Sequence, residues 1–110
     1  GGGLANNGSL TVTASTVTNN TAQTEGGGFF QSTASSSIIM NSTLVAGNFT
    51  GTTGVDVAGM GSIGSMGYNL IGVDDSGAFT AMMTDTVGTE AQPVDANLDV
   101  LALSNTRKNG

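Results

Sequence analysis

Three features of this sequence predict an all-β fold, a right-handed parallel β-helix (solenoid) of about four coils with a non-repetitive C-terminal tail or cap. Short apolar patterns recur 25 to 28 residues apart. Each recurrence reads as strand, and in Leu10-Thr-Val12-Thr13 apolar and polar residues alternate, the period of a half-buried strand. Glycine, threonine, serine and asparagine make up half of the 110 residues, so turn formers punctuate the chain every few positions.

The repeat is read directly. Gly1-Gly2-Gly3-Leu4 returns as Gly26-Gly27-Gly28-Phe29, an offset of 25. Leu10-Thr11-Val12 returns as Ile38-Ile39-Met40, and Val17, Asn19 and Asn20 return as Val45, Gly47 and Asn48, both at 28. The difference falls in one loop, residues 5–9 against 30–37. A third, degenerate round starts near Gly54-Val55-Asp56-Val57 and runs through Ile63 to Gly72. The expected division is therefore coils over 1–72 (1–25, 26–53 and 54–72), then a degenerate last coil and capping tail over 73–110. Both ends read as cuts through a longer chain. Phe79, Met82, Met83 and Val87 form a further apolar cluster, and Asp74-Asp75-Ser76-Gly77 is a turn signal. Only 91–103 could be argued helical, and Pro93, Val94 and Val100 weaken that reading.

Stacking follows from burial. One coil cannot hide its apolar face, and its neighbour completes the job. Leu4, Leu10, Val12 and Val17 should point inward beside Phe29, Ile38, Met40 and Val45. Glycine supplies positive φ at corners, and asparagine tolerates the left-handed region. Asn20 beside Asn48 is the expected inward asparagine ladder. The glycine triplets lack a strand–loop–helix setting, so they read as corners rather than a phosphate cradle. Met40, Met60, Met66, Met82 and Met83 read as flexible core filler.

Charge excludes several partners. Net charge is −6, and Arg107 and Lys108 are the only basic residues, so no patch neutralises phosphates or anionic lipid. No apolar run is long enough to span a bilayer. Cysteine is absent, which removes disulfides and thiolate metal sites.

The repeats Gly-Gly-Gly-Leu/Phe, Leu10-Thr-Val-Thr13 and Ser15 to Ala22 resemble those of bacterial polymorphic outer-membrane-type and related right-handed β-helix surface proteins. The stretches Ser42 to Asn48, Asp56 to Gly59 and Ser65-Met-Gly-Tyr-Asn-Leu-Ile-Gly72 are similar to the final coils of that group. So is the tail, with Val87-Gly-Thr89, Pro93-Val-Asp95 and Leu101-Ala-Leu103. Lys108-Asn109-Gly110 departs from the Asp-Asn-Gly expected there. The resemblance implies display outside the cell or on its surface. It carries over no catalytic residue.

Chemistry-bearing constellations are few. There is no histidine, and Asp74-Asp75 is the only adjacent acidic pair, so the chain is not expected to be an enzyme. No cofactor is expected. Calcium is the one alternative, since Asp74, Asp75, Asp85, Asp95 and Asp99 gather in the last third without EF-hand or nonapeptide spacing. Thr11, Thr13, Thr16 and Thr18 would suit ice, but Ile39, Asn41, Leu44 and Ala46 break the row one coil later. The four Asn-x-Ser/Thr sequons at Asn7, Asn19, Asn41 and Asn48 are expected by chance in this composition. The expected function is a structural or adhesive module that meets copies or flanking coils end to end to build a filament or matrix. The alternatives are a module that binds or cleaves carbohydrate, with Asp, Asn and Tyr68 lining a groove and surface glycans as partners, and ice binding.

Overall fold

Alternating segments such as Ser9-Leu-Thr-Val-Thr13 extend because β-branched side chains favour the pleated surface, and the glycines and asparagines between them stop each strand after a few residues. The computed structural model describes residues 2–74, 77 and 79–96, and all regular structure in them is β. Among the described residues no helix is long and apolar enough to cross a membrane.

The chain visits four short sheets in a repeated order. A first pass lays down β1 (Leu4–Asn6), β2 (Ser9–Thr13), β3 (Thr16–Val17) and β4 (Thr21–Ala22). A second lays down β5 (Phe29–Gln31), β6 (Ser37–Asn41), β7 (Leu44–Val45), β8 (Phe49–Thr50) and β9 (Thr53–Gly54). A third adds β10 (Val57–Gly59), β11 (Ser62–Ser65) and β12 (Leu70–Ile71), and a last adds β13 (Phe79–Thr80) and β14 (Thr86–Val87). The sheet orders are β1-β5-β10, β13-β11-β6-β2, β14-β12-β7-β3 and β4-β8-β9. Among the described residues every strand pair is parallel except β8 with β9, which turn back on each other as an antiparallel hairpin.

Register puts like beside like. Leu4 pairs with Phe29 and Phe29 with Val57. Leu10, Ile38, Ile63 and Phe79 form one row, and Val17, Val45, Ile71 and Val87 another. Val12 pairs with Met40, and Met40 with Ser65. These rows are the core: Phe29, Ile38, Met40, Val45, Val57, Ile63 and Ile71 are fully buried. Each such side chain contributes about 1.5–3 kcal/mol by leaving water. Leu4, Leu10 and Val17, in the outermost strands, are only partly buried.

Several expectations need correction. Of the five methionines only Met40 is core; Met60, Met66, Met82 and Met83 are exposed. The cluster read around Phe79 thus keeps Phe79 and the partly buried Val87 but loses Met82 and Met83. Of the triplet, Gly26 is a left-handed corner at φ 60°, whereas Gly27 and Gly28 act through close approach. A Cβ on Gly28 would stand 2.6 Å from the Asp56 carbonyl oxygen and 2.7 Å from Val45 Cγ1. Residues 91–96 hold no helix; they follow a turn in which Thr89 and Gln92 exchange backbone hydrogen bonds. Val94 N–H donates to Gly72 O at 2.9 Å, which ties this part of the tail to the third pass. The rest of the candidate helix and tail, residues 97–110, lies outside the described residues.

Candidate functional site

The sharp bends between strands are built from side chains that bond along the stacking direction. At the β3–β4 corner Asn20 donates its backbone N–H and Nδ2 to Asn48 Oδ1, at 3.0 and 3.1 Å. Asn48 donates the same two groups to Asp56 Oδ1, at 2.8 and 2.7 Å. The other Asp56 oxygen accepts from Val73 N–H at 2.8 Å. Asp56 is buried, and burial pushes its carboxyl above the ordinary value even though the Asn48 and Val73 donors pull the other way.

The β2–β3 corner repeats this logic with different residues. Thr43 N–H donates to Asn69 Oδ1 at 3.0 Å. Asn69 donates its N–H and Nδ2 to Asp85 Oδ1, at 2.9 and 3.1 Å. Met82 N–H donates to the second Asp85 oxygen at 2.7 Å. Partial burial would raise the Asp85 carboxyl, but the bonds from Ser65, Met82 and Asn69 together hold it below the ordinary value. Each amide both gives and receives, whereas a carboxylate only receives. An aspartate can therefore accept every donor arriving from the pass before it, and both corners end on one. At the β1–β2 corner Asn6 Nδ2 donates to Gln31 Oε1 at 2.8 Å, and Gln31 Nε2 donates to Ser62 O.

The structure thus brings Asn20 onto Asn48, Leu4 onto Phe29, Leu10 onto Ile38, Val12 onto Met40 and Val17 onto Val45. Sequence reasoning missed the Thr43–Asn69–Asp85 and Asn6–Gln31 corners. It also missed Asp56 as the acceptor beyond Asn48. Asp74 accepts from Gly77 N–H at 3.0 Å and Phe79 N–H at 3.1 Å. Asp75 and Asp99 lie outside the described residues. Among the described residues no three acidic, histidine or cysteine groups gather as a metal site. Thr11 stands beside Ile39 and Thr16 beside Leu44, so the threonine row does not run from the first pass to the second.

The β2–β3 corner also shapes a groove. Ala14, Ser42 and Tyr68 all adopt positive φ, at 49°, 51° and 61°, where glycine or asparagine would be cheaper by about 1 kcal/mol. Tyr68 N–H donates to Thr84 Oγ1 at 3.1 Å, and Ser42 N–H to Gly67 O at 3.0 Å. A depression of about 550 Å³ opens over these turns, with Leu44 and Leu70 partly exposed in it and Ser15, Ser42, Tyr68 and Thr84 around it. Among the described residues none that lines it is an Asp, Glu, Lys or Arg. Tyr68 is 71% exposed.

No protein-family model, curated protein or solved structure matches this chain.

Proposed function

We propose that the four passes are coils of a right-handed parallel β-helix, and that the chain works as a structural or adhesive module displayed outside the cell or on its surface. In this reading it meets further copies, or flanking coils of the same protein, end to end. The observation that carries it lies at the first pass. All four sheets end on a first-pass strand, β1, β2, β3 or β4. Leu4, Leu10 and Val17 are only partly buried there, while their partners Phe29, Ile38 and Val45 are fully buried. Unpaired strand edges backed by apolar side chains are templates for another strand. The resemblance of the Gly-Gly-Gly and Leu-Thr-Val-Thr repeats to β-helix surface proteins supports export, and the lack of cysteine is compatible with it.

Sedimentation velocity across a range of concentrations tests the assembly. The expected result is a rise in mass with concentration that Leu10→Lys removes while the β-sheet circular dichroism stays. A monomer at every concentration contradicts it.

A further inference from the structure

We infer that the groove over the β2–β3 corner is a binding site for a short, uncharged oligosaccharide, with Tyr68 as its stacking platform. Three independent features point to this chemistry. The first is the ring itself. Tyr68 is held at a backbone geometry that disfavours bulky side chains, and the result is an exposed aromatic rather than a buried one. The core gains little from it, so the strain has its use at the surface. An exposed aromatic face covers the apolar C–H face of a sugar ring while its phenol stays in water.

The second feature is the set of hydroxyls around the ring. Ser42 and Thr84 stand on the passes to either side of Tyr68, tied to its turn through the bonds Ser42 N–H to Gly67 O and Tyr68 N–H to Thr84 Oγ1. Ser15 and Thr16 extend the same rim onto the first pass. Adjacent parallel strands stand about 4.8 Å apart, so Ser42, Tyr68 and Thr84, in one row on three successive passes, offer hydroxyls at a spacing that suits a ligand carrying many hydroxyls of its own. Small polar groups around a partly apolar floor orient such a ligand, and here the floor is Leu44 and Leu70.

The third feature is charge. Among the described residues the rim carries no cation to meet a uronate, sulfate or phosphate, and the Asp85 carboxyl lies directly behind Asn69. The chain as a whole carries −6. An acidic sugar is repelled, and a neutral one is not. This groove does not depend on end-to-end assembly, since its lining comes from within one chain.

Tyr68 is the one tyrosine and tryptophan is absent, so intrinsic emission reports this site alone. Cellotetraose, N-acetylchitotetraose and mannotetraose would each be titrated into the monomeric chain, with trigalacturonate as the charged counterpart. A saturable change in tyrosine emission with at least one neutral sugar, and none with trigalacturonate, is expected. Tyr68→Gly relieves the backbone strain as it removes the ring, so its melting temperature should hold or rise. Calorimetric binding should fall at least tenfold in that variant, whereas Tyr68→Phe should retain most of it. No saturable signal with any neutral sugar by either method would overturn the inference. Undiminished binding to a folded Tyr68→Gly variant would overturn it as well.

Discussion

Asn48 donates both its backbone N–H and its Nδ2 to a single oxygen of Asp56, at 2.8 and 2.7 Å. With Val73 N–H on the other oxygen, three donors from two parts of the chain converge on one buried carboxylate. Each buried donor left without an acceptor costs about 1–3 kcal/mol. Asp56→Ala should therefore lower stability by about 3–5 kcal/mol in urea unfolding, more than Asp95→Ala at an exposed position. Asp56→Asn should cost about 1–3 kcal/mol, because its amide turns a donor toward a donor.

The two ladder-ending aspartates should respond to pH in opposite senses. Asp56 has a carboxyl raised above its ordinary 3.8, so the folded state holds its proton more tightly than the unfolded state. Its contribution is fully present below that ordinary value and is lost as pH rises through the raised one. Asp85 is lowered, so its contribution is present above 3.8 and is lost as pH falls. Carboxyl carbon shifts followed by NMR should show Asp85 titrating before Asp56 as pH rises. Unfolding free energies between pH 4 and neutrality should decline less with pH in Asp56→Asn than in the parent chain. Coincident titration of the two groups would contradict both assignments.

Gly28 marks a close approach between two passes. Its added methyl would meet backbone and a fully buried valine, so Gly28→Ala should destabilise by about 1–3 kcal/mol through overpacking. Gly8 has nothing within 4 Å of the same position, and Gly8→Ala should stay within about 0.5 kcal/mol of the parent. Equal effects of the two substitutions in thermal unfolding would count against the packing described at Gly28.

Depth in the stack should be readable from the Leu10, Ile38, Ile63 row. Ile38 has a partner on each side and is fully buried, so Ile38→Ala should cost about 2–5 kcal/mol. Leu10 has a partner on one side and keeps exposed surface, so Leu10→Ala should cost clearly less in the monomer. Under conditions where the chain associates, the gap between the two should narrow, because a second copy would cover Leu10.

Some of this was legible in the residues and some was not, for physical reasons. Leu10 and Ile38, or Val17 and Val45, are apolar residues at a constant offset, with Leu10 and Val17 flanked by polar ones, and burial is the one force that reads such a pattern. Asn20 and Asn48 share that offset. Asp56 does not: it follows Asn48 by eight residues, because the β8–β9 hairpin turns the chain back before the third pass begins. Asp85 follows Asn69 by only 16, because the last pass is short. Tyr68 at positive φ could not be foreseen, since nothing local favours it there. The exposed methionines escaped because Met60, Met66, Met82 and Met83 sit at bends and loops, where an apolar residue carries no periodic signal of its own.

The central claim is that segments 25 to 28 residues apart lie side by side in parallel. Nuclear Overhauser contacts in solution test it most directly. The account predicts methyl contacts between Val17 and Val45 and between Leu10 and Ile38. It also predicts backbone amide-to-Hα contacts pairing Ser9–Thr13 with Ser37–Asn41 in parallel register. Close Hα–Hα contacts between those two strands, the mark of antiparallel pairing, or Val17 and Val45 without a shared contact, would contradict it.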